Sequence, residues 1–158
     1  MVFTQYSYNI FLMTLTNHLL TGAVLSKFFP APIAIPLAFV SHFVLDALPH
    51  FGYKTIEERM RHLYLFKAMT LVDILISGVF IIWLIKTGHY LWLLNGVIAY
   101  SPDLLWIYRF TVEEKFGKVK PTKGNRFIQF HREVQKYERV WGIGVEVLYG
   151  LLMVVIVK

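Results

Sequence analysis

His42 and Asp46 stand four residues apart in an apolar stretch, Ser41-His42-Phe43-Val44-Leu45-Asp46-Ala47-Leu48-Pro49-His50. A helix stacks residues at that spacing on one face. There an imidazole nitrogen and a carboxylate oxygen can chelate one zinc-like ion. His50 comes four residues later, where Pro49 is expected to end the helix, and it can reach back as a third ligand. The plainer reading of the pair is a hydrogen bond between His42 and Asp46, or a polar contact between helices.

Other polar residues are out of place in the same way. The three aspartates, Asp46, Asp73 and Asp103, all lie in apolar segments, as do His18 and Glu146. An acidic residue at the centre of a membrane helix costs roughly 2.5–3.5 kcal/mol, so something must offset it. Asp103 follows Ser101 and Pro102, an order that also starts helices. It is therefore either a ligand or the cap of a helix restarting inside its segment. Asp73 has no local partner and is a candidate further ligand or general base. Glu146 can pair with a polar group on an adjacent helix. His131 and Arg132 sit on an amphipathic lead-in, expected to run unbroken from near Asn125 into the last apolar segment. His131 is a candidate ligand, and Arg132 can neutralise a phosphate.

Composition indicates what carries these residues. Of 158 residues, 56% are hydrophobic and 16% charged, where a soluble domain carries near a quarter charged. Lipid is the expected solvent, and the fold class is all-α: an integral membrane protein of about five helices in one bundle. Five segments qualify as spans, residues 10–29, 33–48, 63–85, 90–110 and 140–157. The second is short and holds Pro36; the first is polar for a span, with Thr14, Thr16, Asn17, His18 and Thr21. One domain, 1–158, accounts for the length, with no internal repeat.

Lys and Arg concentrate between spans two and three and between spans four and five, which makes those connections cytoplasmic and the N-terminus internal. The net charge of +6 is a topology signal of this kind, and no nucleic acid is expected. No cysteine is present, so disulfides and thiolate metal sites are excluded. Residues 1–9 carry no positive n-region of a cleavable signal peptide. Counted from the cytoplasmic end of each span, His18, His42, Asp46, Asp103 and Glu146 fall within ~12 Å, and Asp73 at ~15 Å. All lie in the inner half of a ~30 Å core, as a shared site requires.

Asn17-His18-Leu19-Leu20-Thr21-Gly22-Ala23 and the His42–Asp46 motif, closed by His50-Phe51-Gly52, resemble the bacterial membrane-bound metal-dependent hydrolases. That family is typified by a LexA-regulated inner-membrane member. More distantly, the His-x-x-x-Asp pair is similar to the helical zinc ligands of zinc-dependent phospholipase C and related nucleases. The resemblance implies a bacterial inner-membrane location and makes His18, His42 and Asp46 metal ligands. It draws Pro102-Asp103 and His131-Arg132 toward the same site. Fuller members are expected to carry Pro-Asp and His-Arg elements ahead of the His-x-x-x-Asp motif, whereas here they follow it.

The expected activity is metal-dependent hydrolysis of a phosphoester or lipid-linked substrate, with zinc the expected ion. No Gly-x-Ser-x-Gly elbow or phosphate-cradling glycine loop competes. Two other classes fit the same carboxylates: a small transporter or proton conduit, for which a homodimer would supply symmetry, and a non-catalytic membrane scaffold.

Overall fold

The computed structural model describes residues 14–53, 56–108 and 126–158, apart from the side chains at 56, 57, 59, 105–108, 128, 132 and 136. Its helices are α1 (Leu15–Phe28), α2 (Ala31–Asp46), α3 (Ile56–Arg61), α4 (Leu63–Lys86), α5 (Tyr90–Tyr108), α6 (Arg126–Val134) and α7 (Gly142–Val157). A 3-10 turn, Gln135–Tyr137, follows α6, and the described residues form no β-strand.

Among the described residues, only α4 is both long and apolar enough to cross a membrane. Of its 24 residues only Ser77 and Leu84 are buried, so it is not a soluble core helix. α2 and α7 are apolar but have 16 residues each, and α1 has 14. The five expected spans therefore appear as helices of unequal length, and residues 10–13 of the first lie outside the described part. Prolines set the bounds of α2: Pro30 caps it, Pro32 lies in its first turn, and Pro49 follows its end.

α1 is the hub, packed against α2, α4, α5 and α7. This explains its polarity, because each polar side chain meets a neighbouring helix. Thr16 Oγ1 lies 2.9 Å from Ser77 Oγ of α4, and Thr21 Oγ1 lies 2.7 Å from the Tyr149 hydroxyl of α7. Asn17 donates to the Glu146 carbonyl at 3.2 Å. Lys27 donates to the Ile156 carbonyl at 2.8 Å, closing the C-terminal end of α7.

On its other side α1 crosses α5 with the backbones in contact. A Cβ at Gly22 would overlap the Asn95 and Gly96 backbone, and one at Gly96 would lie 3.0 Å from the Leu19 carbonyl oxygen. Glycine at both positions is what lets the helices approach this closely.

The lead-in to the last apolar segment is not one continuous helix, contrary to the sequence expectation. After the 3-10 turn, Glu138 and Arg139 run beside His50, with Arg139 N–H donating to the His50 carbonyl at 2.9 Å and Gly52 N–H to the Arg139 carbonyl at 3.3 Å. Gly142 then abuts the His50 backbone, where a side chain would not fit. This clasp ties the end of α2 to the start of α7 and leaves α6 free to fold back over α2. α6 is seated there by Phe43, whose ring lies 5.8 Å from Phe127 and 5.3 Å from Phe130.

Candidate metal centre

Five side chains from four helices converge behind this clasp: His18 (α1), His42 and Asp46 (α2), Asp103 (α5) and His131 (α6). His18, His42, Asp46 and Asp103 are wholly buried, and His131 is 1% exposed. His42 Nε2 lies 2.9 Å from His131 Nε2 and 3.1 Å from Asp46 Oδ2, while His131 Nε2 lies 2.9 Å from the same oxygen. Asp103 Oδ1 is 3.7 Å from His42 Nε2 and 3.6 Å from His131 Nε2. On the far side of the carboxylates, His18 Nε2 faces Asp46 Oδ1 at 3.4 Å and Asp103 Oδ2 at 4.0 Å.

The His42 tautomer follows from its surroundings. Its Nδ1 lies 2.9 Å from the Ala99 carbonyl oxygen, which can only accept, so Nδ1 carries the proton. Nε2 is then a lone pair aimed at His131 and Asp46, and an outer hydrogen bond of this kind is the usual support of a metal-binding imidazole. Ala99 and Asp103 share α5, so the helix that supplies one ligand also orients another.

Hydrogen bonds among these groups leave much unmet. Asp46 Oδ1, both Asp103 oxygens and both His18 nitrogens are buried without a hydrogen-bond partner. Two wholly buried carboxylates with oxygens within 4.8 Å of one another are strongly unfavourable without compensating charge. A bound cation would supply it. Donors held at ~2.0–2.2 Å from a tetrahedral ion are roughly 3.3–3.6 Å apart. The spacings from His42 and His131 to each other and to the two carboxylates, 2.9–3.7 Å, bracket that range, and the donor atoms of all four residues lie within 4.8 Å of one another. These four residues form a buried cluster that could hold a metal ion.

Two other candidates, His50 and Asp73, lie elsewhere. His50 is buried but turned away: its Nδ1 lies 2.8 Å from the Leu48 carbonyl oxygen and its Nε2 3.9 Å from Glu138 Oε1. Pro49 ends the helical repeat before a second i+4 step, so His50 enters the clasp and not the cluster. Burial holds its imidazole below the ordinary pKa, against the opposing pull of the Leu48 carbonyl and the Asp46 charge. Asp73 receives the first turn of α1, with Leu15 N–H at 2.8 Å, Thr16 N–H at 3.0 Å and Thr16 Oγ1 at 2.6 Å. It caps α1 from α4 and takes no part in the cluster. Arg132 lies on α6, but its side chain is outside the described residues.

Glu146 accepts from Thr14 N–H at 3.2 Å and joins Asp73 at the start of α1. Nor does a helix restart at Ser101. α5 runs through Pro102, whose missing N–H leaves the Ile98 carbonyl without its helical donor, and the Ser101 hydroxyl bonds that oxygen at 2.8 Å.

Sequence reasoning missed Gln135. Its Nε2 donates to Asp46 Oδ2 at 3.0 Å and lies 3.2 Å from His131 Nε2. The available signal was its place four residues after His131, a face-sharing position on a helix. No family model matches the chain, and neither a curated protein nor a solved structure matches it.

Proposed function

We propose that this chain is a membrane-embedded, metal-dependent hydrolase that acts on a phosphoester or lipid-linked substrate near the cytoplasmic interface. The observation that carries the reading is the buried set of imidazole and carboxylate donors, in which Asp46 Oδ1 and both Asp103 oxygens have no hydrogen-bond partner. Mixed nitrogen and oxygen donors suit zinc and similar divalent ions. When bound, such an ion would lower the pKa of a coordinated water to about 7 and so make hydroxide available at neutral pH. The chain's own contribution is positional: His42, Asp46, Asp103 and His131 hold the ion, Ala99 fixes the His42 tautomer, and Gln135 orients Asp46. The resemblance of the His18 and His42–Asp46 motifs to membrane-bound metal-dependent hydrolases points the same way.

Immersion of the whole bundle in lipid is part of the proposal. Its support is the apolar surface that α2, α4, α5 and α7 turn outward, with Val44, Val79, Leu94 and Val155 among the exposed residues. Tyr64 and Trp83 are both exposed on α4, and ~28 Å of helix separates them. That matches the aromatic girdles on either side of a ~30 Å hydrocarbon core. The conduit alternative draws little from the remaining carboxylates, because Asp73 and Glu146 already bind the start of α1.

Metal content of the detergent-purified protein tests the reading. Wild type is expected to carry stoichiometric zinc or manganese, and the His42→Ala/Asp46→Ala double variant to lose it. Hydrolysis of bis(p-nitrophenyl) phosphate and of phospholipid vesicles should depend on that metal. A folded wild-type protein that binds no divalent ion overturns the proposal.

A further inference from the structure

The three imidazoles of the cluster do not aim at one point. His42 and His131 are inclined at 64° with their Nε2 atoms 2.9 Å apart, so their in-plane lone pairs converge. His18 and His42 are instead stacked, 24° from parallel, with ring centroids 4.5 Å apart. Lone pairs lying in two nearly parallel planes at that separation run side by side. They meet different positions.

The carboxylates divide in the same way. Asp46 turns Oδ2 to His42 and His131 and Oδ1 to His18; Asp103 turns Oδ1 to His42 and His131 and Oδ2 to His18. Each presents one oxygen to either side. We propose that the centre binds two divalent cations, with Asp46 and Asp103 bridging them and His18 as the terminal ligand of the second. This rests on the metal-centre reading above and extends it. His18 Nε2, the nitrogen turned to both carboxylates, is wholly buried and lacks a hydrogen-bond partner, as a nitrogen reserved for a cation would.

Coordination number then assigns the ions different work. His42, His131 and one oxygen from each aspartate make four protein ligands, the closed arrangement of a structural site. His18 with the two remaining oxygens makes three, which leaves a position open for water or substrate, as catalytic sites do. Paired ions of this kind stand ~3.5–4 Å apart, so the closed ion would add its charge beside the open one that takes water or substrate. Charge agrees with an anionic substrate. One divalent ion neutralises the two carboxylates, and a second leaves an excess of +2 that hydroxide and a phosphoester together offset.

Manganese titration of metal-stripped protein in detergent, followed by electron paramagnetic resonance, tests the proposal. Wild type is expected to take up about two Mn(II) per chain and to show the spectrum of an exchange-coupled pair, as expected for ions ~4 Å apart. His18→Phe keeps a ring against His42 but no donor, and should bind about one Mn(II) with an uncoupled spectrum. Saturation of wild type at one ion overturns the second site while leaving the one-metal centre standing. No uptake at all overturns both. Two coupled ions retained in His18→Phe overturn the role of His18. The wild-type titration decides the number of ions even if that variant fails to fold.

Discussion

The approach of α1 to α5 is what brings His18 to Asp103, so perturbing the crossing should act on the centre from a distance. Gly22 lies one turn, ~6 Å, along α1 from His18, and Gly96 lies ~10 Å along α5 from Asp103. Neither touches the ligands. In Gly22→Ala the new methyl falls on the Asn95 and Gly96 backbone, which cannot rotate aside as a side chain would. Restoring carbon contacts of ~3.5–4 Å requires the helices to part by about 1 Å. Overpacking of this kind costs ~1–3 kcal/mol, or roughly 2–12 °C in thermal midpoint for a chain of this size. Metal–ligand distances tolerate only about ±0.2 Å, so His18 should be lost to the centre first. His42 and Asp46 share one helix and should keep their ion. The assay pairs thermal unfolding with metal analysis, and Gly78→Ala is the control, because nothing lies within 4 Å of a Cβ there. Gly22→Ala with wild-type midpoint and wild-type metal content would refute the reasoning.

The other predictions concern single contacts. Asp73→Ala removes three hydrogen bonds to the start of α1 and should destabilise the protein by ~1–3 kcal/mol while leaving metal content unchanged. Loss of metal in a folded Asp73→Ala protein would return that residue to the centre. Gln135→Ala deprives Asp46 of an orienting donor and should weaken metal binding ~10–100-fold in a competition titration against a chelator. Unchanged affinity would make Gln135 mere packing. His50 binds its proton less readily when folded than when unfolded, so stability should fall as pH drops below about 6.5, the unfolded value, until the folded pKa is passed. Subtracting the unfolding profile of His50→Gln isolates this contribution. Profiles that coincide between pH 7 and 5 would remove it.

Much of the centre was legible because apolar sequence makes polar residues conspicuous. His42 and Asp46 share a helix face by spacing alone, and His18 and Asp103 could be placed near their level by counting 1.5 Å per residue. Counting gives depth and not direction, which is why Asp73 was grouped with them. It lies on the face of α4 that meets the start of α1, and its oxygens are spent there. His50 fits the same i+4 spacing as Asp46, yet Pro49 ends the helix before that spacing can act. Gln135 and the Ala99 carbonyl were less legible for a different reason: the ligands they orient, Asp46 and His42, are distant from them in sequence. The chain reversal between α6 and α7 has no strong local signal either, since its hydrogen bonds go to the backbone of His50 and Gly52.

The gathering of acids near one level has two causes. α1 begins at Leu15 and its first N–H groups are met by Asp73 and Glu146. Asp73 is ten residues into α4 and Glu146 four into α7, so that start lies inside the bundle. The first N–H groups of a helix need acceptors, and under lipid only side chains can provide them, ideally anionic ones facing the positive end of the dipole. Of Asp46, Asp73, Asp103 and Glu146, two are thus answered by a helix terminus and two stand among imidazoles. The two requirements are linked through α1. Because α1 starts at this depth, His18, one turn further on, arrives level with Asp46 and Asp103. The capping carboxylates therefore fix how far α1 is inserted, and through it where the His18 imidazole stands. A destabilised cap that lets α1 slide along α5 should disturb His18 before it disturbs His42 or His131, which are held by other helices.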